Sequence, residues 1–504
     1  MTAKTVMIMG THSNAGKSML VTALCRIYSR RGYRVAPFKA QNMALNAGVT
    51  MEGHEIGRAT VAQAQAAGVP AHVDMNPVLL KPEGNSRSQV VLDGRPYGHI
   101  EAKNWHSLKP KLWTHVTAAL TRLRARTDLV IIEGAGSPAE INLKHSDIVN
   151  MRVARAVDAP VLLVGDIDRG GVFAALVGTM VLLEPEEREQ IKAFVVNKFR
   201  GDIGLLGDGL QMLQERAFDT PTVGVLPFLP NIGIAAEDSV SLDEPRLYPT
   251  ETNPQIDIAV IRIPRISNFD DFDPLAAEEG VQVRYVSQVD ELGQPDAIII
   301  PGTKTTLADL YWLQETGLAS EIAQYADNQG NVVGICGGYQ MLGQHLADPE
   351  GAEAEPGATL AGLQLLPLNT TFVREKRTVL VEADLEPHLA PFLQQDAVLE
   401  TRITGYEIHM GASVVTDPSS QALCHIHDED GRHADGLVTN NGRIWGTYLH
   451  GIFDNDLFRQ AWLRHLGWTG VGKPFDRQQA YDRLADHVEK HLDMAMLDQF
   501  IWGD

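Results

Sequence analysis

The N-terminal half of the chain contains the stretch Thr5-Val-Met-Ile-Met-Gly10-Thr-His-Ser-Asn-Ala-Gly16-Lys17-Ser18, in which an apolar strand runs into a glycine loop. Such a loop directs backbone N–H groups at phosphate oxygens, while a lysine neutralises charge and a hydroxyl binds Mg²⁺. A strand-to-helix turn that merely happens to end in lysine is the alternative. We predict a site for ATP and Mg²⁺, with contacts from Gly10, Thr11, Asn14, Ala15, Gly16, Lys17 and Ser18.

The sequence around this loop has the pattern of a parallel α/β sheet. Apolar residues recur on one helical face between positions 19 and 28, and Gly32 then offers a C-cap. Uniformly apolar strands that alternate with such helices indicate a parallel sheet covered on both faces. The strands are predicted at 5–9, 35–38, 128–133, 159–165, 192–197 and 222–226.

A second alternating series contains a cysteine in the turn Gly334-Ile-Cys336-Gly337-Gly338. Small residues around a nucleophile at a strand-to-helix turn leave it exposed near a helix N-terminus, which favours a thiolate. His450 is the predicted base, because nucleophile and base pair in space rather than in sequence. Gly302 lies in a turn able to offer oxyanion N–H groups. For Cys336 the alternative is a small buried apolar residue. The strands of this series are predicted at 256–263, 281–286, 297–300 and 332–335.

Three polar residues are expected at the ends of other N-terminal strands. Glu133 follows an apolar strand and is predicted to bind Mg²⁺ together with Ser18, the alternatives being a cap or a surface ion pair. Asp166 lies shortly before two glycines, a pattern that fits either an active-site rim or a tight turn. Asn197 stands where many P-loop proteins bind the nucleotide base, and an ordinary strand end is equally consistent with its position.

Two polar segments could bind a substrate carboxylate. Lys39, Gln41 and Asn42 come just after a strand, on the sheet edge that carries the glycine loop. Lys144 and Asp147 belong to a segment that lies just past Glu133. For both segments, a polar loop with its hydrogen bonds satisfied internally is the alternative.

Composition narrows the class of protein. The 504 residues are too many for one ordinary core, which predicts two domains. A formal net charge of −21 argues against a nucleic-acid partner, and no apolar run is long enough to cross a membrane. Three cysteines do not make a disulfide framework, and no signal-peptide pattern precedes the first strand, so we expect a cytoplasmic protein. The oligomeric state stays open.

A polar segment rich in proline separates the two series. We therefore predict a P-loop domain at 1–237, a linker at 238–255, a second α/β domain at 256–460 and a C-terminal helical tail at 461–504.

Eight motifs are spread over both halves of the chain: Gly-Thr-His-Ser-Asn-Ala-Gly-Lys-Ser (10–18), Phe-Lys-Ala-Gln-Asn-Met (38–43), Glu-Gly-Ala-Gly-Ser (133–137), Gly-Asp-Ile-Asp-Arg-Gly-Gly (165–171), Pro-Gly-Thr-Lys (301–304), Gly-Ile-Cys-Gly-Gly-Tyr-Gln (334–340), Gly-Tyr-Glu-Ile-His-Met-Gly (405–411) and Tyr-Leu-His-Gly-Ile-Phe (448–453). With these motifs the chain resembles, over essentially its whole length, the cobyric acid synthase family, the glutamine-dependent amidotransferases of cobalamin synthesis. The N-terminal half is similar to the dethiobiotin-synthetase branch of P-loop proteins, and the C-terminal half to class I glutamine amidotransferases. The resemblance predicts two doubly wound α/β domains, a P-loop NTPase-like parallel sheet followed by a class I amidotransferase-like domain.

The resemblance also implies a two-step reaction. Cys336 would attack the side-chain amide of glutamine and release ammonia, with His450 moving the protons, while ATP·Mg²⁺ phosphorylates a substrate carboxylate. The implied substrate is adenosylcobyrinic acid a,c-diamide, a corrinoid polycarboxylate that is amidated at its b, d, e and g carboxylates. The resemblance adds Gly337 and Gln340 to the glutaminase site. The sister enzyme that makes the a,c-diamide and, in another class, a P-loop switch protein without amidation are the alternatives.

One position departs from the wider class I pattern. Those enzymes often have His-x-Glu, in which the glutamate orients the base, but the residue two after His450 is Ile452. The orienting group is therefore absent or supplied from elsewhere. We name Glu407 as the candidate, because it lies on a predicted strand of the same domain, and a surface ion pair is its alternative role.

Overall fold

The computed structural model describes residues 2–83, 86–230, 233–234, 253–389, 393, 396–428 and 431–503. The chain forms two compact units. The first comprises Met1–Ala44, Ile56–Glu237 and Asp476–Asp504, and the second comprises Leu45–Glu55 and Asp238–Phe475. The predicted linker at 238–255 lies outside the described residues except for 253–255.

The described strands are β1 (Lys4–Gly10), β2 (Val35–Lys39), β3 (Gln41–Met43), β4 (Ala47–Val49), β5 (Glu55–Gly57), β6 (Val78–Pro82), β7 (Arg87–Leu92), β8 (Arg95–Glu101), β9 (Leu129–Glu133), β10 (Val161–Asp166), β11 (Ile191–Phe199), β12 (Thr222–Pro227), β13 (Ile256–Ile261), β14 (Val281–Val286), β15 (Ala297–Ile300), β16 (Asn331–Ile335), β17 (His345–Asp348), β18 (Ala358–Ala361), β19 (Leu368–Leu385), β20 (Ile403–Val415), β21 (Cys424–Asp428), β22 (Gly431–Asp435), β23 (Leu437–Thr439) and β24 (Ile444–Thr447).

The described helices are α1 (Lys17–Arg30), α2 (Arg58–Ala66), α3 (Trp105–Arg126), α4 (Met151–Ala156), α5 (Val172–Leu182), α6 (Pro185–Arg188), α7 (Gly209–Arg216), α8 (Asp273–Ala276), α9 (Val289–Leu292), α10 (Thr306–Glu315), α11 (Leu318–Asp327), α12 (Gly337–Met341), α13 (Asp396–Leu399), α14 (Asp456–His465), α15 (Arg477–His491) and α16 (Met494–Trp502). None of these helices, which cover the described residues only, is long and apolar enough to cross a membrane.

A parallel sheet forms the centre of the first unit. Its described strands lie in the order β12-β11-β10-β1-β9-β2, and every neighbouring pair is parallel. All six strands predicted from the sequence are present, so the expected P-loop fold class is confirmed. The register pairs Glu133 with Lys39 and Asp166 with Asn197. Because parallel strands end at the same edge, these side chains lie beside the glycine loop that follows β1.

A smaller sheet of the first unit has the order β3-β6-β7-β8. The first pair is parallel and the other two pairs are antiparallel. Val78, Leu80, Val90 and Leu92 alternate along β6 and β7 and join the apolar core of the unit. This alternation packs one face of the small sheet against the same core that supports the main sheet.

The second unit is also doubly wound. Its main described sheet has the order β14-β13-β15-β16-β24-β23, with only β23 antiparallel to its neighbour. The four strands predicted for this half are all present. A second sheet contains β17 to β22, including the long antiparallel pair β19 and β20. Cys336 follows β16 and His450 follows its neighbour β24, which places nucleophile and base at one sheet edge.

The segment 461–504, predicted as a C-terminal helical tail, is divided between the two units. Helix α14 belongs to the second unit, whereas α15 and α16 belong to the first. Tyr481, Leu484 and Val488 of α15 join the apolar core that contains the buried face of α1. Arg26 of α1 forms two hydrogen bonds with the Asp482 carboxylate, at 2.7 and 2.9 Å. An amphipathic helix gains most of its stability from burying its apolar face. Here α1 supplies the surface that covers the apolar face of α15.

We predict that Leu497→Ala, in α16, destabilises the first unit. Leu497 is fully buried in the core that includes Val6 and Leu20, so truncation should lower the free energy of unfolding by about 2–5 kcal/mol. Differential scanning calorimetry should show one transition moving to lower temperature. Gln499→Ala, at an exposed position of the same helix, should change stability by about 0.5 kcal/mol or less. If both variants leave the melting temperature unchanged, the packing of Leu497 in the core of the first unit would be contradicted.

Candidate active sites

The glycine loop after β1 has the geometry of a phosphate cradle. Asn14 and Gly16 have positive φ angles of 60° and 101°, which turn backbone N–H groups toward a common centre. A Cβ on Gly16 would lie 1.9 Å from Asn197 Nδ2, so only glycine fits there. Lys17 begins α1, and its Nζ donates to the carbonyls of His12 at 3.1 Å and Gly136 at 3.4 Å. The ammonium thus lies across the loop, where phosphate oxygens would bind.

The Glu133 carboxylate lies at the centre of a buried polar cluster at the end of β9. Ser18 Oγ donates to Oε1 at 2.8 Å and Lys39 Nζ donates to the same oxygen at 2.7 Å, while Gln63 Nε2 donates to Oε2 at 2.5 Å. Burial opposes ionisation, but the Lys39 ammonium and these hydrogen bonds outweigh it and hold the pKa of Glu133 below its usual range. A hydroxyl and an ionised carboxylate side by side suit Mg²⁺, so the predicted ligand pair fits the ion.

Cys336 occupies a strained turn between β16 and α12. Its φ is 52°, in the left-handed region that only a few per cent of non-glycine residues adopt. Its backbone N–H donates to the Thr447 carbonyl at 2.8 Å and so fixes the turn to β24. A Cβ on Gly338 would lie 1.9 Å from the Ile300 carbonyl oxygen, which explains why small residues flank the cysteine. This is the nucleophile elbow predicted from the sequence.

His450 is held by a carboxylate from a distant part of the second unit. Its Nδ1 lies 2.6 Å from Asp271 Oδ2, and the Gly451 N–H donates to Asp271 Oδ1 at 3.0 Å. Asp271 belongs to a short 3₁₀ turn, Phe269–Phe272. The Tyr406 ring stacks on the imidazole with a centroid distance of 5.2 Å. The ring is therefore fixed on one face and at one nitrogen.

The other imidazole nitrogen is available to the cysteine. Nδ1 is already engaged by Asp271, and Cys336 lies close enough to interact electrostatically with the His450 ring. The Cys336 thiol donates a hydrogen bond to the Ile408 carbonyl at 3.6 Å. Burial lowers the pKa of His450, but the Asp271 carboxylate, followed by Cys336, outweighs it and raises this pKa to about 10. The imidazole therefore favours its protonated form. Cys336, His450 and Asp271 form the arrangement of an activated nucleophile, a base and an orienting group.

Comparison with known proteins assigns both halves and the whole chain. A model described as "CobQ/CobB/MinD/ParA nucleotide binding domain" matches residues 6–242, and one described as "CobB/CobQ-like glutamine amidotransferase domain" matches residues 257–458. The cobyric acid synthase of Herpetosiphon aurantiacus is 50% identical, with 99% of each chain covered. That of Sorangium cellulosum is 51% identical, with 100% of each chain covered. The chain belongs to the cobyric acid synthase family.

Among solved structures, the chain is similar to PurLQS from Thermotoga maritima at 20% identity and a TM-score of 0.30, covering 43% of this chain and 100% of that one. A likeness at this level supports no conclusion by itself. The full-length relatives carry the assignment: this member of the cobyric acid synthase family contains a nucleotide-binding domain and a glutamine amidotransferase domain, as the sequence motifs predicted.

Of the remaining predicted residues in the nucleotide-binding domain, Asn197 lies against the phosphate loop. Its Nδ2 donates to the Ala15 carbonyl at 2.9 Å. Asp166 accepts the Asp168 N–H at 2.9 Å, and its other oxygen lies 3.0 Å from Lys198 Nζ. These contacts bring both residues to the sheet edge that carries the loop, and their contact with nucleotide stays a prediction.

Asp147 has a structural role in this family member. Its carboxylate accepts the N–H groups of Val149, Asn150 and Arg152, at 2.8 to 3.0 Å, around the start of α4. Lys144 pairs with Glu187 at 2.7 Å. These contacts are those of a polar loop whose hydrogen bonds are satisfied internally, the alternative named above. Substrate binding by Asp147 stays an untested prediction.

Gln41 and Asn42 lie in β3, directly after the strand that ends in Lys39. Asn42 is 2% exposed, and its Nδ2 has no hydrogen-bond partner within the described part of the chain. The Thr11 hydroxyl of the phosphate loop likewise has no hydrogen-bond partner among the described residues. A buried donor without a partner costs free energy, and a bound ligand would remove that cost. Binding of substrate by Gln41 and Asn42 stays a prediction.

The predicted residues around the glutaminase site do come together. A Cβ on Gly302 would lie 2.9 Å from His450 Cε1, and one on Gly337 would lie 2.6 Å from Thr303 Cγ2. Gln340 accepts from Thr306 Oγ1 at 3.1 Å and donates to Tyr448 Oη at 3.1 Å. Gln340 thereby fixes the helix that follows the cysteine to the strand end that carries His450.

Glu407 does not orient His450 and is replaced in that role by Asp271. The Arg377 guanidinium forms an ion pair with Glu407, because β19 and β20 pair in a register that brings these side chains together. The nearest signal in the sequence is Phe269-Asp-Asp-Phe272, an acidic pair between aromatic residues. Sequence reasoning missed it because 179 positions separate Asp271 from His450 and no spacing rule links a 3₁₀ turn to a strand end.

We predict that Glu133→Gln destabilises the protein as well as stopping amide synthesis. The Lys39 ammonium is 3% exposed and would lose its anion, which costs about 3–5 kcal/mol. The double variant Lys39→Met/Glu133→Gln should recover most of the melting temperature but none of the synthesis. Thermal unfolding and synthesis across a Mg²⁺ titration measure the two effects. A single variant that keeps the wild-type Mg²⁺ dependence would contradict the ligand role.

We predict that Asp271→Asn lowers the glutaminase kcat by roughly 100-fold or more while synthesis from free ammonia continues. Without the carboxylate, the imidazolium of His450 is less stable, so His450 is a weaker base toward Cys336. The rate of Cys336 alkylation by iodoacetamide should therefore shift to higher pH; Cys25 and Cys424 are fully buried and should not interfere. Glu407→Gln is the matched control, and its alkylation profile should stay close to that of the wild type. Unshifted alkylation in Asp271→Asn would refute the orienting role.

Proposed function

We propose that this chain amidates carboxylates of a corrinoid, using ATP as the energy source and glutamine as the nitrogen source. One observation carries the proposal: the same chain contains a phosphate loop and a Cys336–His450–Asp271 site. This chain is about 50% identical to cobyric acid synthases over its full length. The proposed substrate is adenosylcobyrinic acid a,c-diamide, and the proposed sites of amidation are its b, d, e and g carboxylates.

The second unit would supply ammonia. His450 accepts the proton of the Cys336 thiol as the sulfur attacks the side-chain amide carbon of glutamine, and a tetrahedral oxyanion forms. Backbone N–H groups next to Gly302 and Gly337 are the proposed donors to that oxyanion. His450 then protonates the departing nitrogen, which leaves as ammonia, and water hydrolyses the thioester to glutamate. Asp271 keeps the imidazole in the orientation and tautomer that both proton transfers require.

The first unit would activate the carboxylate. A substrate oxygen attacks the γ-phosphorus of ATP, ADP leaves, and ammonia then displaces phosphate from the acyl phosphate to give the amide. Lys17 neutralises the phosphate oxygens across the loop. Ser18 and Glu133 would hold Mg²⁺, which when bound neutralises charge on the β- and γ-phosphates. Lys39 shares Oε1 of Glu133 with Ser18, so it competes with any cation bound there.

The direct test is incubation with adenosylcobyrinic acid a,c-diamide, ATP and glutamine, followed by mass spectrometry of the corrinoid. The proposal expects stepwise conversion to a product with four further amides, together with one ADP and one glutamate for each amide. Cobyrinic acid offered instead should not be converted to the a,c-diamide. If the a,c-diamide stays unchanged while cobyrinic acid is amidated, the result would favour the sister enzyme that makes the a,c-diamide.

We predict that two single variants separate the nitrogen supply from the synthesis. Cys336→Ala should abolish use of glutamine but leave synthesis from ammonium salts, because only glutamine hydrolysis needs the thiolate. Lys17→Ala should lose synthesis with either nitrogen source, by roughly 100-fold or more, because the phosphates react in both cases. Product formation from each source, with circular dichroism as a check of folding, gives the comparison. Loss of ammonia-dependent synthesis in a folded Cys336→Ala protein would contradict the separation.

A further inference from the structure

A small cavity lies in the first unit beside the phosphate loop. It has a volume of about 100 Å³ and touches Gly16 of the loop and Asn197 at the end of β11. Its other walls come from the segment that follows β12 and from helix α15 near the C-terminus. Ligands of doubly wound sheets bind outside the carboxyl ends of the strands, which is where this cavity lies.

The lining of the cavity suits a flat aromatic ring. Leu20, Leu226 and, from α15, Leu484 and Val488 contribute apolar surface. The Asn197 side-chain amide supplies hydrogen-bonding groups at the loop end. Apolar walls with a few polar groups are typical of sites for planar organic ligands. A corrin macrocycle is far too large for this volume.

The α15 wall is built into the fold. Two charge-assisted hydrogen bonds from Arg26 to Asp482 join α15 to α1, and an ion pair of 2.6 Å joins Arg30 to Asp486. His487 Nε2 contacts the Pro227 carbonyl at 2.9 Å, which links α15 to the segment after β12. Helix α15 is thus anchored both to the helix that begins at the phosphate loop and to the segment after β12, which also lines the cavity.

We propose that this cavity binds the base of the nucleoside triphosphate whose phosphates occupy the loop, and that C-terminal helix α15 forms one wall of the base site. The inference rests on the proposed use of ATP and adds a contribution from the last part of the chain. His487 and Val488 are the α15 residues placed against the base, and Asn197 lies at its polar edge. Lys17 and Ser18 hold the phosphates and do not depend on α15.

This division gives separable outcomes for ligands with and without a base. His487→Trp places a larger ring in the lining of the cavity and should weaken ATP binding by about 10-fold or more in isothermal titration calorimetry with Mg²⁺. Inorganic tripolyphosphate, which has no base, should bind the variant and the wild type within about 3-fold of each other. Lys490→Trp, at an exposed position of the same helix, is the matched control and should leave both ligands unaffected.

A wild-type measurement complements the variants. Photolysis of the full-length protein with 8-azidoadenosine triphosphate should label the tryptic peptide Leu484–Lys490, and excess ATP should suppress the label. Label confined to peptides outside α15, or equal weakening of ATP and tripolyphosphate by His487→Trp, would overturn the base-wall assignment. If the wild-type protein binds neither ligand, the proposed use of ATP fails, and this inference fails with it.

Discussion

Both candidate sites depend on one steric constraint, which is that a parallel strand ends in a turn with no room for additional side chains. At the phosphate loop, a Cβ on Gly16 would meet Asn197 at 1.9 Å; at the cysteine turn, a Cβ on Gly338 would meet the Ile300 carbonyl at the same distance. The tight packing directs backbone N–H groups and one reactive side chain outward from the sheet edge. Cys336 adopts a left-handed backbone conformation as a consequence, and the surrounding sheet must stabilise it.

Each site also contains a buried carboxylate in contact with a side chain that can carry a positive charge. Glu133 is paired with Lys39, and Asp271 is paired with His450. A buried charge without a partner is expensive, so each acid restricts the position of its cation and the cation restricts the acid. The two pairs differ in what they hold ready. The first presents a carboxylate oxygen beside a hydroxyl, and the second presents an imidazole beside a thiol.

The sequence predicted those parts of the molecule that are encoded locally. The glycine loop, the cysteine turn and the ten strands around them follow from short motifs and apolar periodicity, and the structure contains all of them. Asp271 could not be found in this way, because its role depends on a contact between a 3₁₀ turn and a strand end far along the chain. The placement of α15 and α16 was equally inaccessible. Their amphipathic pattern shows that one face must be covered, but it does not identify α1 as the covering surface.

The division of the chain between the units has a consequence for how the protein is made. The first unit begins at the N-terminus but includes Asp476–Asp504, and Leu497 packs in the same core as Val6. On the ribosome, the nucleotide-binding unit therefore emerges first yet cannot complete its core until the segment Asp476–Asp504 has been translated. The second unit is wholly synthesised before that segment. Order of synthesis and order of completion are thus reversed, and a nascent chain would expose the α1 surface to chaperones until α15 and α16 have been made.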